Sequence, residues 1–296
     1  MGKKCIGVDV GGTSVKLGIF DVDGVLLKKW EIPTRKEEQG KYVLDDIAAS
    51  IRETLKDENI SMEDVVGVGI DVPGPVKKNG YVEVCVNLGW RDIYPAKELS
   101  ARLDGIPAEC GNDANAAAIG EMTYGAARGM KDFIMITLGT GVGSGIVING
   151  QMVYGHDGFA GELGHVIARR DGRLCGCGRK GCLETYCSAT GVARTAREFL
   201  AARTDASLLR NIPAENITSK DVYDAAVQGD KLAQEIFNFT GNILGEALAD
   251  AIAFSSPEAI VLFGGLAKSG DYIMKPIQKS IDDNILNIYK GKTKLL

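Results

Sequence analysis

No block of basic residues occurs anywhere in this chain, and 34 Lys and Arg against 39 Asp and Glu leave a formal net charge of −5. A protein that grips nucleic acid needs an electrostatic footprint for phosphates, so that class of partner is excluded. Long apolar runs are missing as well. None approaches the roughly 20 residues that span a bilayer, so no membrane partner is expected. The opening Met-Gly-Lys-Lys-Cys-Ile-Gly-Val-Asp reads into a strand instead of a signal peptide, which points to the cytoplasm.

A disulfide framework is also lacking. The 7 cysteines are odd in number and scattered, as a reducing compartment allows. Cys5 and Cys85 lie in strand-like apolar runs and read as small core residues. No low-complexity linker divides the chain. Walker A chemistry is absent too: Gly291-Lys292-Thr293 has the right ending, but the first glycine of that motif would fall on Leu286. The Gly-x-Gly-x-x-Gly dinucleotide fingerprint does not occur.

What the chain does have is glycine, 38 of 296 residues, clustered in turns between strands where backbone approaches a ligand. The length suits one large domain or two ordinary ones. Strands are expected over residues 5–10, 15–20 and 25–31, broken by Gly11-Gly12 and by the hairpin signal Asp23-Gly24. A helix follows over 42–55, with Val43, Ile47, Ile51 and Leu55 on one stripe. Further strands are expected at 65–72, 106–110, 133–138, 145–148 and 259–263. Helices are expected at 112–124, 192–202, 221–227, 231–254 and 272–281. Both halves open with a strand, a glycine turn and a strand. This predicts two α/β lobes, 1–117 and 118–296, with a cleft between them.

Three glycine elements follow from that reading: Asp9-Val10-Gly11-Gly12-Thr13 with Lys16, Gly139-Thr140-Gly141, and Gly264-Gly265. Singly each is a plain turn. Three in one chain, two of them opening separate lobes, point to backbone N–H groups around nucleotide phosphates. Asn112-Asp113 opens a helix, where either residue serves as a cap. The alternative makes Asp113 a general base and lets Asn112 hold a substrate hydroxyl. Trp90 is either core or a sugar-stacking ring, and His156 is a loop residue.

The most specific stretch runs from Gly161 to Glu184. It contains His165, Cys175, Cys177 and Cys182, the ligand set of a tetrahedral zinc site. Four protein ligands leave no open position for a catalytic water, so the zinc is expected to be structural. It would immobilise the loop that presents Glu162, His165 and Glu184, and a fixed set of polar groups suits a polyol.

These motifs together resemble the ROK family of bacterial sugar kinases and repressors, within the actin-like ATPase superfold (ribonuclease H-like). Asp9-x-Gly-Gly-Thr13 resembles its first phosphate motif, Gly139-Thr140-Gly141 the second, and Phe263-Gly264-Gly265 the adenosine motif. Gly161-Glu162-Leu163-Gly164-His165 with the Cys cluster resembles its sugar-and-zinc signature. The resemblance implies Asp113 as catalytic base and sugar contacts from Asn112, Glu162, His165 and Glu184, the imidazole being shared between zinc and sugar. It also implies ATP with Mg2+ as cofactor and a homodimer. Repressors of the family place a helix-turn-helix before the first phosphate motif, which here begins at Asp9, so the kinase branch is expected. Glucose is the expected hexose, N-acetylglucosamine or N-acetylmannosamine the alternative, and a non-catalytic sugar sensor the alternative of another class. The final helix with which family members return to the N-terminal lobe is not evident after residue 281.

Overall fold

The computed structural model describes residues 2–296. It divides into two compact units, one running through Ala116 together with Tyr154–Ala160, the other comprising Ala117–Val153 and Gly161–Leu296. No sequence signal announced that the short excursion Tyr154–Ala160 belongs to the first unit.

The first unit is built on a five-stranded sheet of order β3-β2-β1-β4-β7, from β1 (Lys4–Val10), β2 (Ser14–Asp21), β3 (Leu26–Pro33), β4 (Val65–Val72) and β7 (Ala108–Asn112). Strands β1, β2 and β3 form an antiparallel meander, whereas β4 and β7 run parallel to β1. One turn at Glu37–Gly40 (α1) precedes α2 (Val43–Asp57), whose expected stripe Val43, Ile47, Ile51 and Leu55 is buried. Those side chains pack with Ile6, Val8, Leu17, Val68, Ile70 and Leu99 into one core. Two elements escaped the sequence reading: the hairpin of β5 (Val82–Cys85) and β6 (Trp90–Ile93), and helix α3 (Pro95–Arg102). Trp90 is core, its Nε1 donating to the Gly40 carbonyl at 3.0 Å. Helix α4 (Asp113–Tyr124) follows β7 directly.

The second unit repeats the plan with order β10-β9-β8-β11-β12, from β8 (Phe133–Leu138), β9 (Val142–Ile148), β10 (Gln151–Met152), β11 (Ala259–Phe263) and β12 (Lys294–Leu295). Strands β8 and β9 are antiparallel, and β11 runs parallel to both β8 and β12. Both faces of this sheet are covered. Ile134, Ile136, Leu138 and Ile260 enter one core, while Phe133, Met135, Ala259 and Val261 enter another. That explains why β8 and β11 read as unbroken apolar runs instead of alternating ones. The larger core receives α5 (Glu184–Cys187), α6 (Ala189–Ala202), α7 (Ser219–Val227), α8 (Lys231–Ser255) and α9 (Asp271–Asn284). After α9 the last described element is β12, which hydrogen-bonds to β11. No helix among the described residues is long and apolar enough to cross a membrane.

Candidate active site

In the first unit the candidate residues gather at one end of the sheet. Gly11 N–H donates to the Ser14 carbonyl at 2.9 Å, closing the turn between β1 and β2, and Thr34 Oγ1 donates to the Gly11 carbonyl at 2.7 Å. Asp9 and Lys16 face each other across that hairpin with 3.7 Å between carboxylate and ammonium, both half exposed. Thr13 is exposed at the tip. At the end of β7, Asn112 does what its cap alternative required. Its Oδ1 accepts from Ala114 and Asn115 N–H at 3.0 and 3.2 Å, and its Nδ2 donates to the Gly74 carbonyl at 3.0 Å. Asp113, exposed, accepts from Ala114 N–H through Oδ1 at 2.8 Å. Rigid capping of this kind holds a carboxylate at a helix start, where the macrodipole favours its charge.

Asp71 belongs beside them and was missed. The parallel register sets it opposite Asp9 on β1 and opposite Gly111 on β7, on the sheet face away from Val68, Ile70 and Val72. A Cβ placed on Gly111 would lie in ordinary contact with Asp71 Oδ1 at 3.8 Å, so the carboxyl lies beside this glycine. Burial pushes its pKa up to about 7, with the charges of Asp9 and Asp113 adding to the rise. No local signal reveals it, because its neighbours are distant in sequence.

In the second unit the glycine loop 139–141 closes on itself through Gly139 N–H to the Gly141 carbonyl at 3.1 Å. Ala189 N–H donates to the Gly139 carbonyl at 2.8 Å, and Thr190 Oγ1 to the Thr140 carbonyl at 2.9 Å, tying the loop to the start of α6. Gly264 packs against the backbone of Leu138, the residue before the loop. On the other side stands Glu184, the first residue of α5. A Cβ at Gly141 would lie only 2.8 Å from Glu184 Oε2, so the loop backbone lies against the end of this side chain. The loop read as a phosphate binder therefore touches a carboxylate read as a sugar contact.

His165, Cys175, Cys177 and Cys182 converge, with their ligand atoms all within 4.8 Å of one another. The Cys177 and Cys182 sulfurs are 3.7 Å apart, and Cys175 Sγ is 3.8 Å from His165 Nδ1. Tetrahedral zinc with bonds of about 2.3 Å to sulfur and 2.0 Å to nitrogen sets such ligand atoms roughly 3.5–3.8 Å apart, so the donor set and its spacing fit the ion. Burial and a 3.0 Å hydrogen bond to Glu184 Oε1 push the Cys175 thiol up, whereas the Arg179 backbone N–H holds Cys177 below the usual thiol range. The imidazole Nδ1 is also 3.8 Å from Glu184 Oε1. Nδ1 faces the cysteines, and Nε2 is 3.9 Å from Glu162 Oε2. His156 is exposed in the Tyr154–Ala160 segment, which belongs to the first unit.

A sequence model of the ROK family matches residues 5–294. The chain belongs to the ROK family. Among its ROK relatives is the glucokinase of Halalkalibacterium halodurans, 40% identical over 280 residues, covering 94% of this chain and 84% of that protein. The N-acetylmannosamine kinase of Escherichia coli O157:H7 is 29% identical over 270 residues, covering 90% of this chain and 85% of that protein. The crystal structure of a ROK family glucokinase from Streptomyces griseus in complex with glucose and AMPPNP superposes with a TM-score of 0.85 at 34% identity. It covers 99% of this chain and 93% of that one. The two-lobed α/β fold is thus that of ROK sugar kinases.

Proposed function

We propose that this ROK protein transfers the γ-phosphoryl group of ATP, as its Mg2+ complex, to the 6-hydroxyl of glucose. The observation that carries the reading is the abutment of loop 139–141 on Glu184, which pairs backbone donors for phosphate with a carboxylate acceptor for a sugar hydroxyl. Similarity to glucokinases at up to 40% identity, and to a structure holding glucose and an ATP analogue, supports the same substrates.

In this reading Asp113 accepts the hydroxyl proton as the sugar oxygen attacks phosphorus in line. The N–H groups of Gly12 and Gly141, with Thr13 or Thr140, offset charge on the phosphoryl oxygens, while Gly11 and Gly139 close their turns. Lys16 adds positive charge beside Asp9, and Gly264-Gly265 borders the adenosine. Glu162, His165 and Glu184 accept or donate to sugar hydroxyls, and Asn112 has a second Nδ2 hydrogen to give. When bound, zinc supplies rigidity to the loop 161–184, held by His165, Cys175, Cys177 and Cys182.

A coupled ADP-release assay over glucose, mannose, N-acetylglucosamine and N-acetylmannosamine tests this. Glucose is expected to give the highest kcat/KM, and Asp113→Asn to lower kcat by ~10²–10⁴ while sugar still binds. Turnover of Asp113→Asn near the wild-type rate would remove Asp113 from the base role. A preference for an acetylated sugar would move the chain to the hexosamine kinases. Sugar binding without turnover in the wild type would make it a sensor.

A further inference from the structure

We propose that Arg173 is a positioning residue that holds the sugar-binding loop in place independently of the zinc. This rests on the reading that Glu184 contacts the sugar. Arg173 lies two residues before Cys175, yet its guanidinium turns away from the cysteines and into the unit, where the side chain is only 7% exposed. Its donors are fully engaged. Nη1 donates to the Thr185 carbonyl at 2.7 Å and the Gly191 carbonyl at 3.3 Å. Nη2 donates to Thr195 Oγ1 at 2.9 Å and to Glu198 Oε2 at 2.6 Å, and Nε reaches the same oxygen at 3.1 Å. All five N–H groups of the fork thus have acceptors. The guanidinium also stacks 4.4 Å from the Tyr186 ring, whose hydroxyl accepts from the Arg173 N–H at 3.0 Å.

Four of these partners decide the role. Thr185 follows Glu184 directly, Tyr186 lies in the same short helix α5, and Thr195 and Glu198 lie on α6. A helix of one turn cannot hold its own orientation, since the helix nucleus is costly and α5 has few internal bonds. Arg173 bridges it to the long helix behind it. Meanwhile the Arg173 carbonyl accepts from Gly181 N–H at 2.8 Å, closing the loop next to Cys182. The loop therefore has a second fastening besides the ligand cluster. That cluster ties 165, 175, 177 and 182 to each other, whereas Arg173 ties the loop at once to Thr185, beside Glu184, and to α6, where Arg194 adds a single 3.3 Å bond from Nη1 to the Leu174 carbonyl. A buried charge with every donor matched persists only in that geometry, because any shift leaves a desolvated donor unpaired.

The test compares Arg173→Lys, zinc-stripped wild type and Glu184→Gln, all with intact chains, reading zinc per chain by metal analysis together with KM for hexose, KM for ATP and kcat. Lysine keeps the charge but cannot present a planar fork. Arg173→Lys is expected to retain zinc and ATP KM and to raise hexose KM by about tenfold, with kcat changed less. Wild type stripped of zinc by a chelator is expected to bind glucose, measured by calorimetry, within about threefold of the loaded protein, the second fastening remaining. Loss of zinc from Arg173→Lys, an unchanged hexose KM, or loss of glucose binding on zinc removal alone would each overturn the proposal. If Arg173→Lys does not fold, Thr195→Val, which removes one acceptor at nearly constant volume, takes its place with the same readouts. Should Glu184→Gln leave hexose KM unchanged, the sugar-contact reading falls. Should it raise KM while Arg173→Lys does not, only the role of Arg173 falls.

Discussion

At the scale of single residues, the chemistry of this ROK protein divides between groups that sequence spacing exposes and groups that only the fold brings together. His165, Cys175, Cys177 and Cys182 are legible because all four lie in one short stretch, and the structure gathers them. Asp113 stands out by its place at a helix start. Asp71 does not, since its neighbours Asp9 and Asp113 lie far from it in sequence and meet it only through the parallel register of β1, β4 and β7. Its raised pKa has a definite consequence. The folded protein keeps this proton up to about pH 7, whereas the unfolded chain releases it near 3.8, so unfolding releases a proton between those values. Stability drawn from the neutral carboxyl is therefore full below about pH 4 and lost as pH rises through about 7. Asp71→Asn should raise Tm at about pH 8 and leave it unchanged at about pH 4. Scanning calorimetry at both pH values checks this, and an equal gain at both would refute it. A second expectation concerns metal: Cys177→Ser should lower zinc from one per chain to near zero, read by atomic absorption.

At the scale of elements, legibility tracks length and burial. Strands β4, β8 and β11 begin and end where the apolar runs do, because turn residues bound them. Hairpin β5–β6 and helix α3 were missed because four-residue strands and an eight-residue helix span barely two periods of any pattern. The closest packing is between α8 and α9. Gly241 and Gly245 lie one turn apart on α8, where added Cβ atoms would stand 2.4 Å from Pro276 Cβ and Ser280 Cβ. Helices that approach so closely tolerate no added side chain without displacement. Gly245→Val should cost about 1–3 kcal/mol, measured as a lower urea midpoint at unchanged m-value. A wild-type midpoint would show that α9 moves aside freely.

For the molecule as a whole, two units repeat one sheet plan, a meander extended by parallel strands, and this much was visible as a strand–glycine–strand opening in each half. Their pairwise similarity was legible because glycine turns sit at the same point of each plan. The return of Tyr154–Ala160 to the first unit was not, since seven residues without periodicity give no signal. Whichever sugar is native should stabilise the folded state by about 2.7 kcal/mol at a hundred times its Kd, independently of turnover. A thermal-shift comparison of glucose with N-acetylglucosamine measures this directly. A larger shift with the acetylated sugar would contradict the glucose assignment.

The distribution of the seven cysteines has a practical corollary. Cys85, Cys175, Cys182 and Cys187 are buried, Cys5 and Cys110 are half-buried, and Cys177 alone is exposed. In folded protein the most accessible thiol to a bulky chromogenic reagent is therefore one of the four zinc ligands. The fast phase of colour development under native conditions would report empty metal sites, giving every preparation a built-in assay of its own zinc occupancy.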